Sequence, residues 1–389
     1  MIQQAGAAPD PYFDQNWLDP EYINKWNSGR WSYTKSFDAP GSIAAGAGAS
    51  ASIESNAAAE VLLVLDGIRM GAMIELNGHR LGNATNQFIR YTIEVGGLLN
   101  PTGNVLNITF GAELLFNTGG RYTRSAQIDW APRMATKDPR DKSRSTFGFG
   151  IWKSVYLLPL PTKSAAFTQL VPHTYYAGGH PTTMLTDASH AGFNMTVRAE
   201  LYAAPSSVGT TGVVTIVGDW PNAAVTPATQ QISLVHGINN VTVHIPASET
   251  RGAKLWHPRG HGGQPRYNIT ATFTPTATAA AADADADADA TRSSSSSSSS
   301  STTVRRFGFR DVALVTVNDT DPSVVAAGGK GTGRLTMFFR VNGAAVYARG
   351  ANKVQMDLMD GRMSAEANRR LVQSAAEGNF NLLRVWGRY

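Results

Sequence analysis

A mainly β chain with more than one domain is predicted by three observations: short apolar or alternating runs separated by turn residues, abundant glycine and proline, and little charge. The 389 residues include 38 Gly and 19 Pro, with 16% charged and 42% hydrophobic side chains, which suits turn-rich antiparallel sandwiches that bury real cores. At roughly 100 to 200 residues per domain, this length predicts two or three units.

The elements follow in order. Residues 31–37, 61–65, 73–76, 88–95, 105–110 and 152–158 read as strands of a first antiparallel sandwich. Asn77-Gly78 lies between two of these runs, and Asn-Gly takes the positive φ angles of a two-residue type I′ hairpin. A second series at 193–202, 212–217, 230–235, 240–245, 266–273 and 309–317 has the length of an immunoglobulin-like sandwich. It is interrupted at 274–303 by low complexity, with an Ala-Asp repeat and a run of serines that have nothing apolar to bury. This insert is expected to loop out disordered.

Past Gly331 the pattern changes. Runs at 335–341 and 345–349 flank the turn Asn342-Gly343. Ser364 then reads as a helix N-cap with Glu366 in the first turn, Leu371, Val372 and Ala375 as the apolar stripe, and Gly378 as the C′ stop. Residues 380–386 are apolar enough for a buried parallel strand. A strand, helix, strand unit closes the sequence. One such repeat cannot complete an eight-stranded barrel, which takes about 250 residues.

Composition excludes several functions. With no cysteine, disulfides, zinc-thiolate sites and thiol nucleophiles are impossible, so acid-base chemistry must come from carboxylates or histidines. A formal charge of +5 with scattered Lys and Arg lacks the basic stripe of a nucleic-acid binder, so no nucleic-acid partner is expected. There is no run of 18 apolar residues and no signal-peptide pattern at the start, so no membrane partner is expected either. No metal, nucleotide or flavin signature is present, and no cofactor is expected; His257 and His261 lack a nearby acid or third histidine to complete a metal site. Asn-x-Thr sequons begin at Asn83, Asn107, Asn194, Asn240, Asn268 and Asn318, a pattern compatible with a secretory or lysosomal route and equally with chance in a Thr-rich chain.

The most distinctive motif is Leu255-Trp256-His257-Pro258-Arg259-Gly260-His261-Gly262-Gly263-Gln264-Pro265-Arg266-Tyr267. Physically it reads as a stiff turn: prolines fix φ, glycines permit positive φ, and Trp256 and Tyr267 can clamp it. Its Leu-Trp-x-Pro-x-Gly-x-Gly-x-Gln-Pro-x-Tyr pattern resembles a signature of the β-mannosidases of glycoside hydrolase family 2. Five further pieces stand in that family's order: Gly150-Ile151-Trp152-Lys153-Ser154-Val155, Phe307-Gly308-Phe309-Arg310, Phe339-Arg340-Val341-Asn342-Gly343, Gly350-Ala351-Asn352 and Leu383-Arg384-Val385-Trp386-Gly387. The resemblance implies a jelly-roll, galactose-binding-like domain at 1–162, an immunoglobulin-like sandwich at 163–330, and the start of a (β/α)8 TIM barrel at 331–389.

The same resemblance implies residues that touch sugar. Gln127-Ile128-Asp129-Trp130-Ala131-Pro132 is similar to the family's Gly-Trp-Asp-Trp-Gly-Pro loop, which makes Asp129 the carboxylate that binds mannose hydroxyls, with Trp130 beside it. Carboxylate-hydroxyl bonds are charge-assisted and suit the reading of sugar stereochemistry. Gly350-Ala351-Asn352-Lys353-Val354-Gln355-Met356-Asp357 is similar to the end of the first barrel strand, and Arg384 and Trp386 match the second strand. Barrel strand ends face the active site, so Asn352, Asp357, Arg384 and Trp386 join the candidates. Ile128 and Lys353 each stand where the family has Trp. The competing readings are a surface loop acid for Asp129 and a packing pair at the rim for Arg384 and Trp386.

By this resemblance the activity is retaining exo-hydrolysis of terminal β-D-mannose residues, acting on a β-linked oligosaccharide or glycoprotein-derived glycan. That chemistry needs two carboxylates about 5 Å apart. In the family both are Glu, the acid/base following an Asn, and no Asn-Glu dipeptide occurs here. The catalytic pair is thus absent, and the chain alone is expected to be inactive. Two alternatives stand beside this reading: a related β-galactosidase, β-glucuronidase or exo-β-glucosaminidase, and a non-catalytic carbohydrate-binding or interaction protein.

Overall fold

The computed structural model describes residues 30–39, 60–69, 71–86, 88–111, 150–221, 227–276, 300–316, 319–320, 337–353 and 364–385. The chain divides into two compact units, one of residues 1–159, 352–374 and 384–389, the other of residues 160–351 and 375–383. The described structure is mainly β.

In the first unit the strands are β1 (Trp31–Phe37), β2 (Val61–Leu65), β3 (Ile68–Arg69), β4 (Ala72–Leu76), β5 (His79–Ala84), β6 (Tyr91–Glu94), β7 (Asn104–Phe110), β8 (Gly150–Ile151) and β9 (Val155–Pro159). They form sheets of order β1-β7-β4-β5 and β6-β2-β9 with a short β3-β8 ladder, antiparallel throughout. The unbroken apolar run of β2 reflects its place in the middle of a sheet, for all five residues are buried. Leu63, Leu65, Ile74, Leu76, Ile108 and Phe110 share its core. Between β4 and β5 the expected hairpin forms, with Asn77 at φ 51° and Gly78 at φ 79°. The Asn77 amide donates to Leu98 O and Asn104 Oδ1, and its Oδ1 accepts from Val105 N–H, so one turn residue ties three segments.

Two expected strands are shorter than their apolar runs. The 88–95 run begins pairing only at Tyr91, because Asn86 Oδ1 accepts the Phe88 N–H in a local turn and Tyr91 Oη takes the N–H groups of Thr85 and Asn86. The 152–158 run begins at Val155, because the N–H groups of Trp152 and Lys153 both turn toward Gly67 O.

The second unit holds β10 (Ala165–Tyr176), β11 (Phe193–Ala203), β12 (Thr211–Gly218), β13 (Ala228–Ser233), β14 (Gly237–Ile245), β15 (Tyr267–Pro275), β16 (Ser301–Phe307), β17 (Val312–Val315), β18 (Phe338–Val341) and β19 (Ala344–Val346). Sheets β10-β11-β14 and β13-β12-β15-β16 pool their inward residues in one core around Phe193, Val197, Leu201, Ile216, Phe273 and Phe309. Alternation is clean in β11 and β14, whose buried positions fall at every second residue for most of their length. A third sheet, β17-β18-β19, turns at Asn342 (φ 50°) and Gly343 (φ 78°).

Here the structure revises the low-complexity boundary. Thr274 and Pro275 belong to β15, and Ser301, Thr302 and Thr303 belong to β16, which pairs back onto β15 at Phe273↔Ser301. Thr suits the half-exposed face of a sheet even when composition looks featureless. The 309–317 run contributes only β17, while Phe309 is fully buried and bridges Leu255.

The last elements are β20 (Gly350–Lys353), α1 (Ala365–Glu377) and β21 (Leu382–Val385), with β20 and β21 paired. Ser364 Oγ accepts the Ala367 N–H at 3.1 Å, the expected N-cap. The C-terminal stop lies one residue later than expected: Asn379 takes the left-handed conformation (φ 59°), with Asn379 N–H bonded to Ala376 O and Phe380 N–H to Ala375 O. That is a Schellman closure with Asn at C′ and Gly378 at the cap. Val372 is half exposed rather than part of the stripe, and α1 has no fully buried residue. Nor is the final strand buried: Leu382 and Leu383 are half-buried, Arg384 and Val385 exposed, since one strand, helix, strand unit cannot cover both faces of its sheet.

Candidate functional site

Of the six residues singled out from sequence, Asn352 and Arg384 lie among the described residues, and they meet. Asn352 stands on β20 and Arg384 on β21, and Arg384 Nη1 donates to Asn352 Oδ1 at 2.9 Å. Both are exposed. The bond orients the Asn352 amide so that its NH2 faces away from the guanidinium, and it engages one of the five Arg donors. The result is a donor-rich patch suited to hydroxyl or carboxylate oxygens. Asp129, Trp130, Asp357 and Trp386 lie outside the described residues.

Local hydrogen bonds hold the two strands that present this pair. Asn381, just ahead of β21, accepts the Arg349 N–H on Oδ1 at 2.9 Å and donates to Tyr347 O at 3.0 Å. Its side chain thereby fastens the start of one strand to the approach of the other. Next to Asn352, Lys353 Nζ donates to Asn368 Oδ1 of α1 at 3.0 Å. The ammonium group thus engages the helix.

The Trp256 motif folds as a turn braced from several sides. Leu255 N–H bonds to Asp187 Oδ1 and Lys254 N–H to Tyr267 Oη, while Trp256 N–H bonds to Phe309 O and His257 N–H to Gly263 O. The Arg310 guanidinium lies 4.8 Å from the Trp256 ring centroid, and Tyr267 packs on Phe309 at 5.8 Å. His257 is buried with Nδ1 3.4 Å from Asn342 Nδ2, and desolvation lowers its pKa. Its ring rests where a side chain on Gly262 would sit. An open cleft of about 810 Å³ adjoins the motif, lined by Tyr175, Trp256, Arg266, Arg310 and Asp311 among others.

Sequence reasoning missed an ionic clasp beneath this turn. Asp319 is buried and takes a fork of two bonds from the buried Arg340 guanidinium, through Nε to Oδ2 and through Nη2 to Oδ1 at 2.8 Å. His180 Nε2 lies 2.9 Å from the same Oδ2. Arg340 Nη1 donates to the carbonyls of Thr182 and Gly343. Chiefly through the Arg340 bonds, the Asp319 carboxyl is pulled down to about 2 against the opposing effect of burial. An Arg within the apolar run Phe338–Val341 was the one available signal; nothing local marks Asp319 as its partner.

The chain resembles known glycosidases in sequence and fold. Residues 1–153 match the model of the glycosyl hydrolase 2 galactose-binding domain-like family. The chain is 24% identical over 396 residues to a β-mannosidase of Capra hircus, which covers 97% of this chain and 38% of that protein. It is 25% identical over 401 residues to β-mannosidase A of Aspergillus aculeatus, covering 99% and 38% respectively. Among solved structures, the β-D-mannosidase from Dictyoglomus thermophilum superposes with a TM-score of 0.64 at 22% identity, over 99% of this chain and 40% of that one. The Amycolatopsis orientalis exo-chitosanase superposes with a TM-score of 0.60 at 17% identity, over 100% and 36%. The chain thus spans about two fifths of the proteins it resembles.

Proposed function

We propose that this chain, β-mannosidase-like and of glycoside hydrolase family 2 in its amino-terminal portion, supplies the substrate-framing part of a retaining exo-glycosidase for terminal β-D-mannosides. The observation that carries this reading is similarity to β-mannosidases across 97% to 99% of the chain. In this reading Asn352 and Arg384 donate hydrogen bonds to the terminal sugar from adjacent strand ends, and Asp129 and Trp130 bind it from the first domain. The domains are those of the sequence analysis, a jelly roll, an immunoglobulin-like sandwich and the start of a barrel. Asp357 and Trp386 are further substrate-binding residues in this reading. Hydrolysis itself requires a carboxylate pair, one Glu as acid/base and one as nucleophile, about 5 Å apart. With no Asn-Glu dipeptide in these 389 residues, this chain alone is expected to be inactive.

A second reading keeps the reaction and changes the sugar. Lys353 is its motivation, since a cation bonded to Asn368 beside Asn352 would favour an acidic or polar substituent over a stacked face. A chimera decides between them, with residues 1–389 replacing the matched portion of the Dictyoglomus thermophilum enzyme. Aryl β-mannoside turnover well above that of the galactoside, glucuronide and glucosaminide is the expected result. A different preferred sugar would establish the second reading. A folded chimera inactive on all four would overturn both and leave a carbohydrate-binding role.

A further inference from the structure

Five of the Asn-x-Thr sequons fall on described strands, and in each the middle residue is core: Ala84, Ile108, Met195, Val241 and Ile269 are all at most 3% exposed. Strand alternation therefore puts the Asn and the Thr side by side on the outer face. The triplet is a by-product of strand chemistry in a Thr-rich sheet, so its presence alone does not mark a modification site. What separates the five is whether the carboxamide is engaged.

Four are engaged. Asn107 Nδ2 donates to Glu75 Oε2 at 3.3 Å, and Asn268 Nδ2 donates to Asp219 Oδ2 at 2.7 Å. Asn83 Oδ1 accepts from Arg80 Nη2, and Asn194 Oδ1 accepts the Ala247 N–H at 3.1 Å. Asn240 differs. It is exposed, as is Thr242, and among the described residues no hydrogen bond holds its side chain.

Its position adds a second reason. β14 stands at the end of the sheet order β10-β11-β14, and the nearby Ile238 and Val235 are 52% and 57% exposed. An end strand carrying exposed apolar side chains is a template for unwanted pairing, and folded proteins commonly blunt such edges. Across from Asn240 and Thr242 stand Glu200 and Arg198, and the Glu200 carboxylate accepts from Thr168 Oγ1 at 2.6 Å. That outer face is polar and open.

We propose that Asn240 is an N-glycan acceptor and that its glycan shields the β14 edge. The donor is a polyprenyl diphosphate-linked oligosaccharide. The sugar C1–O bond to diphosphate breaks, a C1–Nδ2 bond forms, and the Asn240 amide gives up one proton as polyprenyl diphosphate leaves. This site is independent of the glycosidase reading, because Asn352 and Arg384 take no part in it.

The test is glycopeptide mapping of the chain secreted from a eukaryotic cell, with enzymatic deglycosylation in heavy water to tag each occupied Asn. Asn240 is expected to be tagged in the majority of folded molecules, and Asn107 and Asn268 in a minority. The Thr242→Ala variant is expected to lose one glycan's mobility shift and Thr242→Ser to keep it, without touching the Asn. An untagged Asn240 in folded wild-type protein would overturn the proposal. Equal tagging of Asn107, Asn240 and Asn268 would overturn its structural basis.

Discussion

Asp319, Arg340 and His180 form the most consequential contact that sequence does not announce. Removing one partner leaves a buried charge uncompensated, which costs about 3 to 5 kcal/mol. Asp319→Asn is therefore expected to lower the urea midpoint sharply at neutral pH. The acid dependence follows from the shift itself. Unfolded Asp titrates near 3.9, while folded Asp319 is held at about 2. Its stabilisation, about 2 kcal/mol, is thus present above pH ~4 and lost as pH falls from there toward ~2. His257 adds a milder step at higher pH: burial lowers its pKa, so the unfolded chain takes up a proton first and stability falls below pH ~6.5. Urea midpoints from pH 7 to 2 should show both steps, and the Asp319→Asn protein should keep only the upper one. Gly343 is constrained differently. It sits at φ 78°, and a Cβ there would lie 1.9 Å from Thr183 O. Gly343→Ala should destabilise by about 3 kcal/mol, read from the same denaturation curves; a loss below about 1 kcal/mol would mean the turn can shift.

Elements were legible where one local force dominates. β1 and β2 match their sequence runs to the residue, and the Asn77-Gly78 hairpin forms where turn chemistry demanded it. β10 was not anticipated: its twelve residues include Pro172, its register breaks between Phe167 and Gln169, and few of its positions are buried, so it carries no period-2 signal. β16 was hidden by composition, because its first residues continue the serine run and its partner β15 lies a long way back in sequence. Candidate-site legibility has the same limit. Asn352 and Arg384 came from a family resemblance and from their strand ends, and no local pattern foretold that they would bond to each other. The β15-β16 pairing leads to a test. Residues 276–300 connect two strands that pair with each other, so shortening the connection lowers the loop-closure entropy lost on folding. Replacing them with a four-residue turn should stabilise the chain by about 1.5 kcal/mol in chemical denaturation, by the logarithmic dependence on loop length. A net loss would mean the connection makes contacts that the sandwich needs.

At the scale of the whole chain, stability should be uneven, and burial says where. β11, β14 and β15 alternate into the second unit's core, with Phe193, Leu201, Ile269 and Phe273 at 0% exposure. β2 and β7 supply the corresponding core of the first unit. The β20, α1, β21 segment has the opposite character: α1 buries no residue fully, Val372 and Val385 are 51% and 57% exposed, and its two-stranded sheet has no described third strand. The side-chain bonds that hold it include those of Ser364, Asn368, Asn381 and Arg384. Such contacts contribute about 1 kcal/mol each at most, far below the opening free energy of a packed core strand. Native-state hydrogen exchange should therefore find the amides of α1 and β21 opening first, near the free energy of local fraying, while those of β11 and β15 exchange only by global unfolding. The Asn352–Arg384 patch sits on this weakly held segment. If it is a sugar-contacting site, whatever buries β20, α1 and β21 must raise their protection along with the order of that pair. Protection of α1 equal to that of β11 in this chain alone would contradict the argument, because it would require a buried face that the described residues do not provide.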